Sequence, residues 1–251
     1  MKKQRLDQLV VERGLADSRE RAQRLILAGL IRVGGQVATK PGHDYPPDAV
    51  VEREAEERFV SRGGHKLEGA FEAFGLDVAG KRCLDVGAST GGFTDCLLQH
   101  GAAVVVAVDV GHAQLHPKML NDPRVVSIEG FNARYMTAAD LPWRPEVAVT
   151  DVSFISLTLI LPPMNEVLLP GGVLVALIKP QFEAGREQVG HGGVVRDPAV
   201  HEEVKAKICN FARDVLRLEQ VGLATSPLTG PAGNVEFLAC WRKPTEGGAT
   251  A

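Results

Sequence analysis

Four charged residues occupy positions that packing alone explains poorly. Lys66 follows Gly63 and Gly64 at a helix entry, Asp151 and Lys179 end apolar runs, and Glu236 lies inside one. Singly, each is more often a surface charge or half of a buried ion pair than a catalyst. Together they supply two amines and two carboxylates. A neutral amine within hydrogen-bond reach takes the proton of a weakly acidic hydroxyl as that oxygen attacks, and carboxylates orient the amines. A second constellation runs from Asp85 through Gly87, Ser89, Thr90, Gly91, Gly92 and Phe93 to Asp95. It begins inside the short run 81–86, whose composition suits a buried strand, and opens a helix, so it reads as strand, tight turn and helix start. Its glycines remove Cβ atoms that would keep a ligand off the backbone, and the first N–H groups of the helix face whatever binds there. The run 103–108 then ends in Asp109, a carboxylate placed to accept ribose hydroxyls, with Val110 behind it. The two signals together point to a nucleoside cofactor.

A sheet has to hold these groups. Residues 126–129, 147–156, 173–178, 218–224 and 234–241 read as further strands, with Asp151 and Lys179 at carboxyl ends. Helices are expected from Lys66, with Leu67, Ala70, Phe71 and Phe74 at helical spacing, over 157–169 up to Pro170-Gly171-Gly172, and over 198–216. Such alternation gives a doubly wound sheet whose ligands collect outside the strand carboxyl ends, so Asp85, Asp109, Asp151 and Lys179 converge in one crevice. Asn132 and Ala133 follow the third strand where an adenine ring would lie. Residues 185–197, with Gly185, Gly190, Gly192 and Gly193 and little that packs, read as a mobile loop.

The front of the chain differs in charge. Residues 1–40 carry nine Lys or Arg against four acids, a net +5 within a chain whose formal charge is −3, so the rest is acidic. A basic block on an acidic body is the layout of a nucleic-acid grip joined to another module. Leu6, Leu9 and Val10 mark a first helix. Asp17 or Ser18 caps a second that buries Ala22, Leu25 and Ile26 and leaves Arg19, Arg21 and Arg24 on or near its other face. Gly34-Gly35 turns a hairpin. Residues 40–42 and 45–48 read as loop, and 52–57 as an exposed edge or linker.

The phrases Ser18-Arg19-Glu20-Arg21-Ala22 and Gly29-Leu30-Ile31-Arg32-Val33-Gly34-Gly35 resemble the small RNA-binding domain first named for ribosomal small-subunit protein four. That resemblance implies that Lys3, Arg5, Arg19, Arg21, Arg24 and, beyond the domain, Arg62 meet RNA. The loop from Asp85 resembles the Asp-x-Gly-x-x-x-Gly-Gly turn of S-adenosylmethionine-dependent methyltransferases. The order Lys66, Asp151, Lys179, Glu236 is similar to the catalytic tetrad of FtsJ-like ribose 2′-O-methyltransferases. With Ser61-Arg62-Gly63-Gly64-His65-Lys66-Leu67 and Ile178-Lys179-Pro180-Gln181-Phe182-Glu183, the chain resembles the TlyA-type, or haemolysin A, family from about residue 4 to Trp241.

The resemblance implies an α/β fold: a Rossmann-like class I methyltransferase sheet, mostly parallel with its last strand antiparallel, and a small α+β RNA-binding domain. Residues 1–58 would be that domain, 59–64 a linker, 65–243 the methyltransferase and 244–251 a disordered tail. It further implies S-adenosyl-L-methionine held by Asp85, Gly87, Ser89, Thr90, Gly91, Gly92, Phe93, Asp109, Val110, Asn132, Ala133 and Asp151. The substrate would be ribosomal RNA or ribosomal subunits, methylated at a cytidine 2′-hydroxyl. The strand end Asp151-Val152-Ser153-Phe154 lacks the Pro-Pro-aromatic signature of base N-methyltransferases, which favours oxygen as the acceptor.

Composition bounds the alternatives. The chain is 45% hydrophobic with no apolar run near the ~20 residues of a membrane span, and no apolar signal core follows Met1-Lys2-Lys3-Gln4-Arg5, so a cytoplasmic protein is expected. Cys83, Cys96, Cys209 and Cys240 are scattered, which implies free thiols and no metal site. A monomer is the favoured state. Still open are a methyltransferase for a non-RNA substrate, with the front domain as a lid, and an RNA-binding or haemolysin-like protein without methyl transfer.

Overall fold

The computed structural model describes residues 3–54 and 57–245 and falls into two compact units, 1–58 and 59–251. In the first unit, β1 (Gln4–Arg5) leads into α1 (Leu6–Glu12), followed by α2 (Arg19–Leu27), β2 (Ile31–Val33), β3 (Gln36–Val37), β4 (Asp44–Tyr45) and β5 (Val51–Arg53). Ser18 Oγ accepts the Arg21 N–H to start α2, whose Ala22, Leu25 and Ile26 pack with Leu6, Val10 and Ile31. Gly34 and Gly35 take φ of 58° and 78°, the left-handed pair a two-residue hairpin requires. One expectation is corrected here: Tyr45 is not loop but pairs antiparallel with Gln4, next to Asp44 with Arg5. Of the two readings of 52–57, an exposed edge describes Glu52 and Arg53, which end the outer strand Val51–Arg53 of the sheet ordered β3-β2-β5. Strands of two or three residues are too short for alternation to show in a sequence.

The second unit opens with α3 (Gly63–Phe74) and continues through β6 (Arg82–Val86), α4 (Gly92–Gln99), β7 (Val104–Val108), α5 (Pro117–Leu120), β8 (Val125–Ile128), β9 (Val147–Thr150), α6 (Leu157–Val167), β10 (Val173–Ile178), α7 (Pro180–Glu183), α8 (Pro198–Asp214), β11 (Glu219–Thr225) and β12 (Phe237–Arg242). Seven strands form one sheet in the order β11-β12-β10-β9-β6-β7-β8; only β12 runs antiparallel to its neighbours. Alternation splits the strand residues between two cores. Leu84, Val106, Ala148, Leu174 and Trp241 face α6 and α8, while Cys83, Val105, Val149, Val175 and Cys240 join residues of α3 and α4. The chain leaves β6 in one direction for β7 and β8 and in the other for β9, so the crevice between β6 and β9 is the topological switch point.

Three further expectations differ from the structure. Residues 59–64 are not a free linker: Phe59 is 2% exposed in the second core, its ring lies where a Cβ on Gly64 would stand, and Asp95 accepts the Val60 N–H at 2.9 Å. The helix therefore starts at Gly63 rather than Lys66. Strand β9 stops at Thr150, where its pairing with β6 and β10 ends, and the loop that follows carries Phe154 at φ 64°. The 185–197 segment is anchored: Val195 is 2% exposed, and buried Asn234 accepts its N–H and donates to Gly193 O, each at 2.9 Å. The expected disordered tail lies almost wholly outside the described residues. Among the described residues no helix is long and apolar enough to cross a membrane. Cys83, Cys96 and Cys240 are buried free thiols, and burial pushes Cys83 and Cys240 up to about 12.

Candidate active site

A cavity of about 520 Å³ opens at the switch point, lined among others by Gly87, Ser89, Asp109, Val110, Asn132, Ala133 and Asp151. These groups come from the ends of β6, β7 and β9 and from the turn after β8. Gly87 has φ 81°, and a Cβ there would stand 2.9 Å from Val152. Asp109 is fixed by two backbone donors, Ser89 N–H at 2.8 Å and Gly111 N–H at 2.7 Å, which aim a negative charge at the cavity and leave carboxylate lone pairs to spare. The size suits a nucleoside-scale ligand.

The other expected cofactor residues support this wall from behind. Asp85 is fully buried; Thr94 donates to one oxygen at 2.7 Å and the other, Oδ1, has no partner. Burial, reinforced by the Asp151 and Asp109 charges, pushes its carboxyl up to about 7 against the Thr94 hydrogen bond. Gly87 and Ser89 of that stretch line the cavity, whereas Thr90, Gly91, Gly92 and Phe93 stand outside its lining. Gly91 instead clears Met119 and Leu115, which a Cβ would approach to 2.8 and 2.9 Å. Gly92 clears Ser61 and the Gly64 backbone N, at 2.3 and 2.9 Å. Phe93 is core, and exposed Thr90 uses its carbonyl to receive the His116 N–H.

The four charged candidates form two pairs. Lys66 donates to Glu236 Oε2 at 2.5 Å, with side chains 9% and 1% exposed. Lys179 Nζ lies 2.6 Å from Asp151 Oδ1, close enough for an ion pair though not aligned as a hydrogen bond, and donates to Ser153 Oγ at 2.9 Å. Asp151 and Ser153 line the cavity. Gly63, one turn before Lys66, faces Asp151: a Cβ there would lie 3.9 Å from Oδ2, so the start of α3 meets the second pair. Gln114, Phe131, Ser153 and Phe154 also stand in the cavity wall and were not among the expected site residues. The sole hint was that Ser153 and Phe154 closely follow a strand-end carboxylate.

The expected RNA contacts divide. Arg5 donates to Asp7 at 3.1 and 2.9 Å within the start of α1, while Arg19 and Gln23 of α2 each reach Asp7 Oδ2 at 2.9 Å and brace α2 against α1. These donors hold the Asp7 carboxyl well below the usual range. Lys3 and Arg24 are exposed and Arg21 is partly so, while Arg62 is exposed beside Thr229 O at 3.4 Å.

Residues 59–243 match the model of the FtsJ-like methyltransferase family, and residues 4–51 match the S4 domain. The chain belongs to the FtsJ-like methyltransferase family. Over 96% of its length and 91% of the relative's, it is 47% identical to the 16S/23S rRNA (cytidine-2′-O)-methyltransferase TlyA of Mycobacterium tuberculosis. It is 46% identical to Hemolysin A of Brachyspira hyodysenteriae, over 94% of this chain and 98% of that one. A solved Streptococcus thermophilus protein, provisionally named a hemolysin, superposes with a TM-score of 0.74 at 46% identity, covering 97% of this chain and 90% of that one. The chain is therefore a methyltransferase joined to an S4 domain. In the FtsJ-like unit, the cavity and the Lys179–Asp151 pair share a wall.

Proposed function

We propose that this enzyme methylates a ribose 2′-hydroxyl of ribosomal RNA, at a cytidine, using S-adenosyl-L-methionine. The observation carrying the reading is the Lys179–Asp151–Ser153 cluster, in which Asp151 and Ser153 line the switch-point cavity and Lys179 stands behind them, beside the start of the helix that bears Lys66. The cofactor fits the residues present. Asp109 offers lone pairs for ribose hydroxyls, Asn132 and Ala133 border the region for an adenine, and Gly87, Ser89 and Asp151 border the remainder, with Asp85 behind them. When bound, S-adenosylmethionine supplies a sulfonium methyl.

The residues of this chain do the rest. The 2′-oxygen bonds to the methyl carbon as that carbon's bond to sulfur breaks, and its proton passes to the lone pair that Lys179 Nζ, held beside the wall residues Asp151 and Ser153, carries in its neutral form. Asp151 and Ser153 hold Nζ in place, so much of the acceleration comes from alignment. Lys66 and Glu236 neutralise each other and hold the start of α3 against this wall. The S4 domain supplies the grip on RNA, with Lys3, Arg21 and Arg24 toward phosphates and Arg5 and Arg19 adding their remaining donors. Arg62 adds to this grip. Radiolabel from S-adenosylmethionine is expected to enter the rRNA of undermethylated ribosomal subunits, and Lys179→Ala to lower that rate by roughly 10²–10⁴-fold. Full transfer by Lys179→Ala, or none by the intact enzyme into either subunit, refutes the proposal.

A further inference from the structure

Lys179 does not depend on Asp151 alone. Both of its partners, Asp151 and Ser153, sit on the 151–156 loop, which has no regular secondary structure and carries Phe154 at φ 64°. A bulky side chain in the left-handed region is strained, and such a loop keeps one geometry only when its surroundings impose it. One end of the loop is held by Lys179. The other is held by Glu183, four residues further along the chain at the end of α7. Its carboxylate is 1% exposed and accepts the Leu157 N–H at 2.6 Å and the Ser156 hydroxyl at 2.7 Å, with Lys207 Nζ 3.4 Å away. Lys207 also donates to the Glu183 carbonyl at 2.8 Å, fixing the backbone of α7. The two ends of one short helix thus clamp the two ends of the loop.

We propose that Glu183 and Ser153 are positioning residues for methyl transfer. Glu183 fixes the far end of the loop, and Ser153 transmits that constraint to Lys179 Nζ. In its neutral form the amine has two N–H donors and one lone pair; Asp151 and Ser153 occupy the two donor directions, and the lone pair is left for the hydroxyl that Lys179 serves. The assignment rests on Lys179 being the proton acceptor of the reaction proposed above.

The test uses the full-length enzyme with undermethylated ribosomal subunits and S-adenosylmethionine. Single-turnover rates are measured for wild type, Ser153→Ala, Glu183→Gln, the double variant, Ser153→Thr and Lys179→Ala, with cofactor affinity by calorimetry and Tm for each. Each of the first two substitutions is expected to slow transfer by roughly 10-fold or more while cofactor affinity is kept. The double variant should be no slower than the slower single one, because both act through the same nitrogen. Ser153→Thr, which keeps the hydroxyl, should recover most of the rate. Losses that multiply in the double variant, or that track a fall in Tm or cofactor affinity, make the two residues merely structural and overturn the proposal, as do unchanged rates. A wild-type rate in Lys179→Ala would instead overturn the catalytic reading itself, and the positioning with it.

Discussion

A lysine with 9% of its side chain exposed survives in a fold only when a carboxylate meets it, and Lys66 and Lys179 each have one. Removing one partner leaves the other charged and buried, so Glu236→Ala is expected to destabilise the protein by roughly 3–5 kcal/mol, read from urea melts. Asp85 behaves in the opposite way, because burial favours its neutral form and raises its folded pKa to about 7 from 3.8. Between those values the unfolded chain has released this proton and the folded chain retains it. Its contribution to stability therefore declines as pH rises from about 4 to 7. Asp85→Asn is expected to flatten that decline and, at pH 7.5, to raise the stability of the cofactor-free protein by about 1–3 kcal/mol. Urea melts of both proteins at pH 4.5 and 7.5 check the sign. Asp109, Asp151 and Lys179 stood out in the sequence because each closes an apolar run, and Asp85 because it leads the glycine turn. Ser153 did not, because nothing in the spelling of a loop shows that its hydroxyl turns back onto a lysine.

At the scale of elements, the glycines of the turn after β6 serve packing as much as any ligand. A Cβ on Gly92 would stand 2.9 Å from the Gly64 backbone N and 3.2 Å from Gly63 Cα, backbone atoms that cannot step aside. Gly92→Ala is expected to cost roughly 1–3 kcal/mol without any cofactor present, measured by Tm and denaturant midpoint. The strands of the large sheet were legible as continuous apolar runs, since a parallel strand is buried on both faces. Strands β4 and β5, the four-residue α7 and the true start of α3 were not, because two to four residues are too few for a periodic pattern to repeat. The glycine-rich 185–197 segment read as mobile because its anchor, Asn234, lies far along the chain in another loop. Asn234→Ala should release it, seen as faster amide exchange at Val195 while the exchange of β10 is unchanged.

For the whole molecule, an S4 unit and an FtsJ-like unit share one chain, and each has its own core. The charge asymmetry read from the first 40 residues belongs to the S4 unit, so the two units divide the work of gripping and reacting. Arg24→Ala is expected to weaken rRNA binding and to reduce the slope of log affinity against log salt by about 0.7–0.9, while cofactor affinity stays constant. The central claim, that Lys179 serves a sugar oxygen, is tested most directly by mass spectrometry of nucleosides from rRNA treated with the enzyme or with Lys179→Ala. The account predicts a methyl group on the ribose of cytidine with the intact enzyme and none above background with the variant. A methyl group on a base, or an undiminished ribose methyl with Lys179→Ala, would contradict it.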